Sequence, residues 1–131
     1  MANPNTYAAT SADIDQVDIN VVFTVGSSGA VGTVSRSKEC NATTPVTHTG
    51  TGLYRVNLKE KWIALLNQNA KCQQATYSAS GACLGDLKSD GDAVLSAGTA
   101  TFEFRTLAGA LVDPASGDTV RLTLTLQKTK P

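Results

Sequence analysis

His48 is the only histidine in the chain, so any Ser-His-Asp or Cys-His arrangement for nucleophilic catalysis must be built around it. It lies in the Thr-rich run KECNATTPVTHTGTG, residues 38–52. Neither that run nor the rest of the chain holds a nucleophile elbow, a Gly-rich phosphate loop or a paired-histidine metal motif. His48 is therefore expected to be an ordinary loop or interface residue. Together with Cys40, Cys72 and Cys83 it supplies the residue types of a zinc centre with three thiolates and one imidazole. The spacing contains no CxxC or HxxxH pair of the kind that closes a structural zinc chelate, which argues against that centre. Asp86, Asp90 and Asp92 in GDLKSDGD offer the hard oxygen atoms that calcium takes. The EF-hand spacing and its bidentate Glu are missing, and Asp-Gly is turn chemistry first. An aromatic content of 5% is lean for a sugar-stacking cleft flanked by a carboxylate pair. The expectation is a chain with no catalytic residue, no metal and no cofactor.

These side chains must be positioned by one domain, since 131 residues suffice to bury a single core without metal or disulfide support. Hydrophobic residues make up 41% and charged residues 17%, the remainder being rich in Ser, Thr, Asn, Gln and Gly, a balance common in β-rich proteins. The formal net charge is zero, so no overall field draws in nucleic acid or an anionic membrane surface. No run approaches the roughly 20 apolar residues of a membrane span. The start MANPNTYAATSADIDQ has neither the basic nor the apolar region of a signal peptide. The chain is expected to be made and kept in a cytoplasm, where its three cysteines stay free and mostly buried and the sequon Asn41-Ala42-Thr43 has no consequence.

Residues 1–17 carry no sustained period and hold Pro4, Asp13 and Asp15. They are expected to form an N-terminal arm, either frayed or ordered against a neighbouring subunit, ahead of a single domain over 18–131. DINVVFTV, 18–25, reads as a strand with Val21, Phe23 and Val25 on one face, and AVGTVSRS, 30–37, pairs back on it. Pro45 makes 38–52 an edge strand or a loop. LYRVNL, 53–58, alternates again, with Tyr54, Val56 and Leu58 on one face. The spacing then predicts a short α-helix: Leu58, Trp62, Leu65 and Leu66 form one stripe, Asn57 caps its start, Glu60 completes a capping box and Asn67-Gln68-Asn69 ends it. Trp62 on that stripe is expected to be a core anchor. Residues 71–94 predict one or two short strands with long connections. SAGTATFEFRTL, 96–107, is a strand with Phe102 and Phe104 inward. DPASGD, 113–118, is a turn in which Pro114 presets the backbone, Asp113 accepts from nearby amides and Gly117 takes a positive φ. TVRLTLTLQK, 119–128, turns Val120, Leu122, Leu124 and Leu126 to a core. The expected fold class is all-β: an antiparallel β-sandwich or jelly-roll-like domain with one short α-helix and an extended N-terminal arm.

GTGLYRVNL (50–58), SAGTATFEFRT (96–106) and DPASGDTVRLTLTL (113–126) together resemble small head proteins of tailed bacteriophages, of the decoration or cement type. The last strands of those proteins often carry D-P-x-x-G-D-x-V-x-L-x-L. The likeness covers roughly residues 50 to 127. It implies a non-catalytic virion protein on the capsid exterior, assembled in a bacterial cytoplasm. Its partner would be the phage major capsid protein, and it would act as a homo-oligomer, a trimer or dimer, without nucleic acid or membrane. Tyr54, Arg55, Trp62 and Arg105 are interface candidates by residue type. The alternative is a carbohydrate- or receptor-binding β-sandwich module of a virion fibre or tail, which would present an aromatic-lined groove. A β-sandwich hydrolase would depend on His48 or a buried carboxylate.

Overall fold

The alternating Thr/Leu run near the C-terminus has apolar side chains at every second position, and it forms the spine of a sheet. A computed structural model describes residues 16–62, 64–78, 81–88 and 96–127. Among them eight strands follow one another: β1 (Gln16–Val25), β2 (Val31–Arg36), β3 (Val46–Gly50), β4 (Leu53–Asn57), β5 (Ala64–Gln73), β6 (Leu84–Leu87), β7 (Thr99–Arg105) and β8 (Thr119–Gln127). They form two four-stranded antiparallel sheets, ordered β2-β1-β8-β5 and β3-β4-β7-β6. The expected antiparallel β-sandwich is the fold. Hairpins join β1 to β2, β3 to β4 and β6 to β7 within a sheet, and the other connections cross between sheets.

Successive side chains on a strand point to opposite faces, so one parity of each strand enters the space between the sheets. From β8 these are Val120, Leu122, Leu124 and Leu126, and from β1 Ile19, Val21, Phe23 and Val25, all buried. The facing sheet contributes Tyr54 and Val56 from β4, and Ala100, Phe102 and Phe104 from β7. Phe23 meets Tyr54 across the gap with ring centroids 5.2 Å apart, and Phe104 meets Tyr54 edge-on at 5.7 Å. Rings at that spacing add about 0.5–1.5 kcal/mol per pair to what burial supplies.

The expected helix does not form. Leu58 closes a bridge to Cys40, residues 59–62 turn a corner, and β5 begins at Ala64. Asn67, Gln68 and Asn69, the expected helix end, lie in mid-strand opposite Thr125, Leu124 and Thr123 of β8. The apparent helical stripe is drawn from two elements: a corner that buries Leu58 and Trp62, and a strand that packs Leu65 against the core. Leu66 falls in a β-bulge between Leu65 and Asn67 and is 45% exposed. Helix propensity over so short a run is worth a few tenths of a kcal/mol per residue. Pairing with β8 instead satisfies backbone groups along both strands, which a helix would leave unpartnered on β8. Asn57, the expected cap, donates from Nδ2 to Thr44 O at 2.7 Å and to Thr47 Oγ1 at 3.1 Å, tying β4 to the β3 side.

The segment around Pro45 resolves into a loop followed by β3, an edge strand. Of the expected arm, residues 1–15 lie outside the described residues, while Gln16 and Val17 already pair with Gln127 and Leu126 as the start of β1.

Candidate functional site

His48 shares the parity of Val46 on β3, so its ring turns toward the sandwich instead of standing free in a loop. It stacks on Tyr54 with centroids 4.8 Å apart. Asp113, the first residue of the 113–118 turn, reaches over from the β7–β8 connection. Its Oδ1 accepts the Gly52 N–H at 2.6 Å and stands 2.8 Å from His48 Nε2. A carboxylate oxygen accepts, so Nε2 carries the hydrogen. Tyr54 donates its hydroxyl to Gly29 O at 2.7 Å; burial, reinforced by the charge of Asp113, pushes that hydroxyl above its ordinary pKa. Gly29 has φ +77°, and a methyl placed there would fall 2.5 Å from the Asp113 carboxyl carbon. Only glycine lets the β1–β2 turn close over the carboxylate.

A histidine oriented by a carboxylate is two-thirds of a catalytic triad. Among the described residues no hydroxyl or thiol is hydrogen-bonded to the ring, and the nearest aromatic hydroxyl is committed to a backbone carbonyl. The arrangement acts as a clamp that joins β3, the β3–β4 turn, the β1–β2 turn and the β7–β8 loop.

A second cluster forms where the end of β5, the residues before β6 and the start of β8 meet. Asp118 is 4% exposed, the one buried acidic residue among those described. Its carboxylate accepts the Ala75 N–H at 3.0 Å, the Ala115 N–H at 3.1 Å and the Cys72 S–H at 3.7 Å. Burial first, then the neighbouring Cys83 and Asp118, push the Cys72 thiol from 9.0 up to about 12. Burial and Asp118 raise Cys83 as well, opposed by the neighbouring Cys72 thiol. Cys40 stands apart beside Leu58, its thiol raised by burial against the pull of Arg36. All three cysteines are free thiols.

The four residues considered for zinc therefore separate. Cys72 and Cys83 meet, His48 is engaged by Asp113, and Cys40 bridges Leu58. Among the described residues no group of three or more His, Cys, Asp or Glu is placed to hold a metal ion. Asp86 on β6 accepts from Gln68 Nε2 at 3.1 Å and from the Leu87 N–H at 2.8 Å. Asp90 and Asp92 lie outside the described residues. Of the interface candidates, Tyr54 and Trp62 belong to the core. Arg55 bonds Asn57 Oδ1 at 3.2 Å on the outer face, and Arg105 makes paired 3.1 Å contacts to both oxygens of Glu103.

Clefts open on the surface among the described residues. One, of about 310 Å³, is lined by Leu84, Asp86, Glu103, Arg105 and Leu107 among others. Another, of about 320 Å³, is lined by Cys72, Gln73, Gln74, Tyr77, Ala82 and Cys83. Neither includes His48.

No family model, curated protein or solved structure matches this chain. Its function is accordingly read from the residues themselves. Two signals for them were present in the sequence. Asp118 has the parity of Val120 through Leu126, which places it on the buried face, and His48 has the parity of Val46. The meeting of Cys72 with Cys83 had no local signal, because it depends on how two different sheets abut.

Proposed function

We propose that the chain is a non-catalytic structural protein of the decoration or cement type, which binds an assembled phage head from outside and bridges major capsid subunits as a closed homo-oligomer. The observation that carries this reading is an apolar surface built around Arg105. Leu84 pairs with Arg105 across β6 and β7, and Leu111 bridges Arg105 from the other side. Leu84, Leu107 and Leu111 are exposed, Leu107 to 68%. Clustered leucines ringing an Arg–Glu pair are the composition of a protein contact, with apolar area at the centre and charge to fix register. The polar groups that could do chemistry, His48, Asp113, Tyr54 and Asp118, are taken up in holding loops together. That fits a clamp better than an enzyme. The likeness of DPASGDTVRLTLTL to the closing strands of decoration proteins supports the same class.

The test is rebinding. Purified protein mixed with heads stripped of it should co-sediment with them and raise their melting temperature, and Leu107→Asp should weaken co-sedimentation while leaving the free protein's own melting temperature unchanged. Failure to associate with any particle would sink the proposal. The carbohydrate-binding alternative is favoured by one observation: Tyr77, 84% exposed, stands beside Gln73 and Gln74 at the second cleft. An aromatic ring flanked by amides can stack on and hydrogen-bond a sugar. Binding to purified cell-wall glycans that is lost in Tyr77→Ala would decide for it.

A further inference from the structure

Gln68 on β5 donates to Asp86 on β6 at 3.1 Å, and a methyl built on Gly85 would fall 2.9 Å from Ala70 Cβ. β5 and β6 are edge strands of different sheets, and these contacts fix their relation. As β5 advances from 68 to 70, β6 goes back from 86 to 85, so the two run antiparallel where the sheets abut. Two further residues along each chain lead from Ala70 to Cys72 on β5 and from Gly85 to Cys83 just ahead of β6, and the two cysteines line one cleft. β5 and β6 are not paired by backbone hydrogen bonds, so the separation of their Cβ atoms is set by packing at this corner. A disulfide requires roughly 3.5–4.5 Å, and Gly85 lets this corner close more tightly than usual. Cys72 directs its S–H to Asp118 at 3.7 Å and Cys83 directs its own to Gly81 O at 3.8 Å, and both thiols line the same surface cleft.

We propose that Cys72 and Cys83 are a redox modification site that closes to a disulfide, latching the edge of one sheet to the edge of the other and leaving Cys40 a thiol. The oxidant is a small-molecule disulfide of the glutathione class. Cys83, which lines the cleft, attacks one sulfur of the oxidant as its thiolate. The oxidant's S–S bond breaks, and one small thiolate leaves and takes up a proton. Cys72 then gives up its proton to solvent and attacks the Cys83 sulfur of the mixed disulfide. The second small thiolate leaves and is protonated in turn. Two protein thiols are oxidised and one small disulfide is reduced to two thiols. Burial holds both cysteines in the thiol form, so the exchange is slow at neutral pH and quickens as pH rises. Asp118 loses one donor on closure and keeps the N–H groups of Ala75 and Ala115. The latch stands on the corner geometry alone and is independent of any capsid partner.

The experiment incubates the reduced purified chain with oxidised glutathione at mildly alkaline pH, then denatures and alkylates it. Alkylation is expected to drop from three thiols to one, and the unalkylated mass to fall by two hydrogens. A digest should yield a peptide joining Cys72 to Cys83, and the melting temperature should rise by several degrees over the reduced chain. Cys72→Ser is expected to stop at a glutathione adduct on Cys83, whereas Cys40→Ser should form the same link as the parent. Three alkylatable thiols after oxidation, a link through Cys40, or covalent dimers without the internal link would overturn the proposal.

Discussion

Asp113 and Asp118 open and close one six-residue turn and hold different parts of the molecule. Asp118 accepts two backbone N–H groups that have no other acceptor in that pocket. Asp118→Ala removes the acceptor of both part-buried N–H groups, and since water recovers part of the loss an overall cost of about 1–3 kcal/mol in urea unfolding is expected. Asp118→Asn, which keeps one acceptor oxygen, should lose less. Asp113→Ala should likewise cost more than His48→Ala, because it strands the Gly52 N–H, whereas removing the imidazole leaves that bond in place. Equal costs, or a larger one for His48→Ala, would refute the clamp. An acceptor role for Asp113 was legible in the turn sequence, though the amide it takes is that of Gly52, 61 positions away, instead of the nearby one expected. Its partner His48, 65 positions away, was not, because the chain between them must fold before the two meet.

The strand–corner–strand passage from β4 to β5 is where local pattern and fold disagree. If 58–66 were the expected helix, Leu66 and Trp62 would share a buried stripe and both would be costly to truncate. In the sandwich, Trp62 is 4% exposed at the corner and Leu66 sits outward on a bulge. Trp62→Ala is therefore expected to cost about 3–5 kcal/mol, and Leu66→Ala to stay within about 0.5 kcal/mol, as for a surface position. A large loss at Leu66 would contradict the strand assignment. Gly85→Ala tests the neighbouring corner. Its methyl would stand 2.7 Å from the Phe104 ring and 2.9 Å from Ala70 Cβ, so β6 must move, at about 1–3 kcal/mol. β1, β7 and β8 were readable because their alternation persists for seven residues or more. β5 was hidden because AlaLeuLeuAsnGlnAsn combines a bulge at Leu66 with a polar residue, Gln68, on the inward side, which breaks the period of two.

At the scale of the whole molecule, the core runs through both sheets without a break, so unfolding should be a single transition in which Trp62 fluorescence and far-ultraviolet dichroism coincide. That transition should weaken at alkaline pH. Cys40, Tyr54, Cys72 and Cys83 are all raised in the fold, chiefly by burial. A raised acid keeps its proton in the folded chain after the unfolded chain has released it, so the folded state binds more protons and stability falls as pH rises. For Cys72 the contribution is complete below 9.0 and is lost between there and about 12. The melting temperature should decline through that window, and less steeply in Cys72→Ala than in the parent; parallel curves would show that Cys72 ionises alike in both states. By itself the sequence determined the all-β class, the strands β1, β7 and β8 with their inward residues, and the turn at 113–118, because these follow from side-chain parity and from the backbone preferences of Pro, Gly and Asp over a few neighbouring residues. Only the tertiary structure decided that 64–73 is a strand, that His48 meets Asp113, and that Cys72 faces Cys83 across the corner. Each of those depends on which edges of two sheets come together, and the free energy that selects the pairing comes from contacts between segments far apart in the chain.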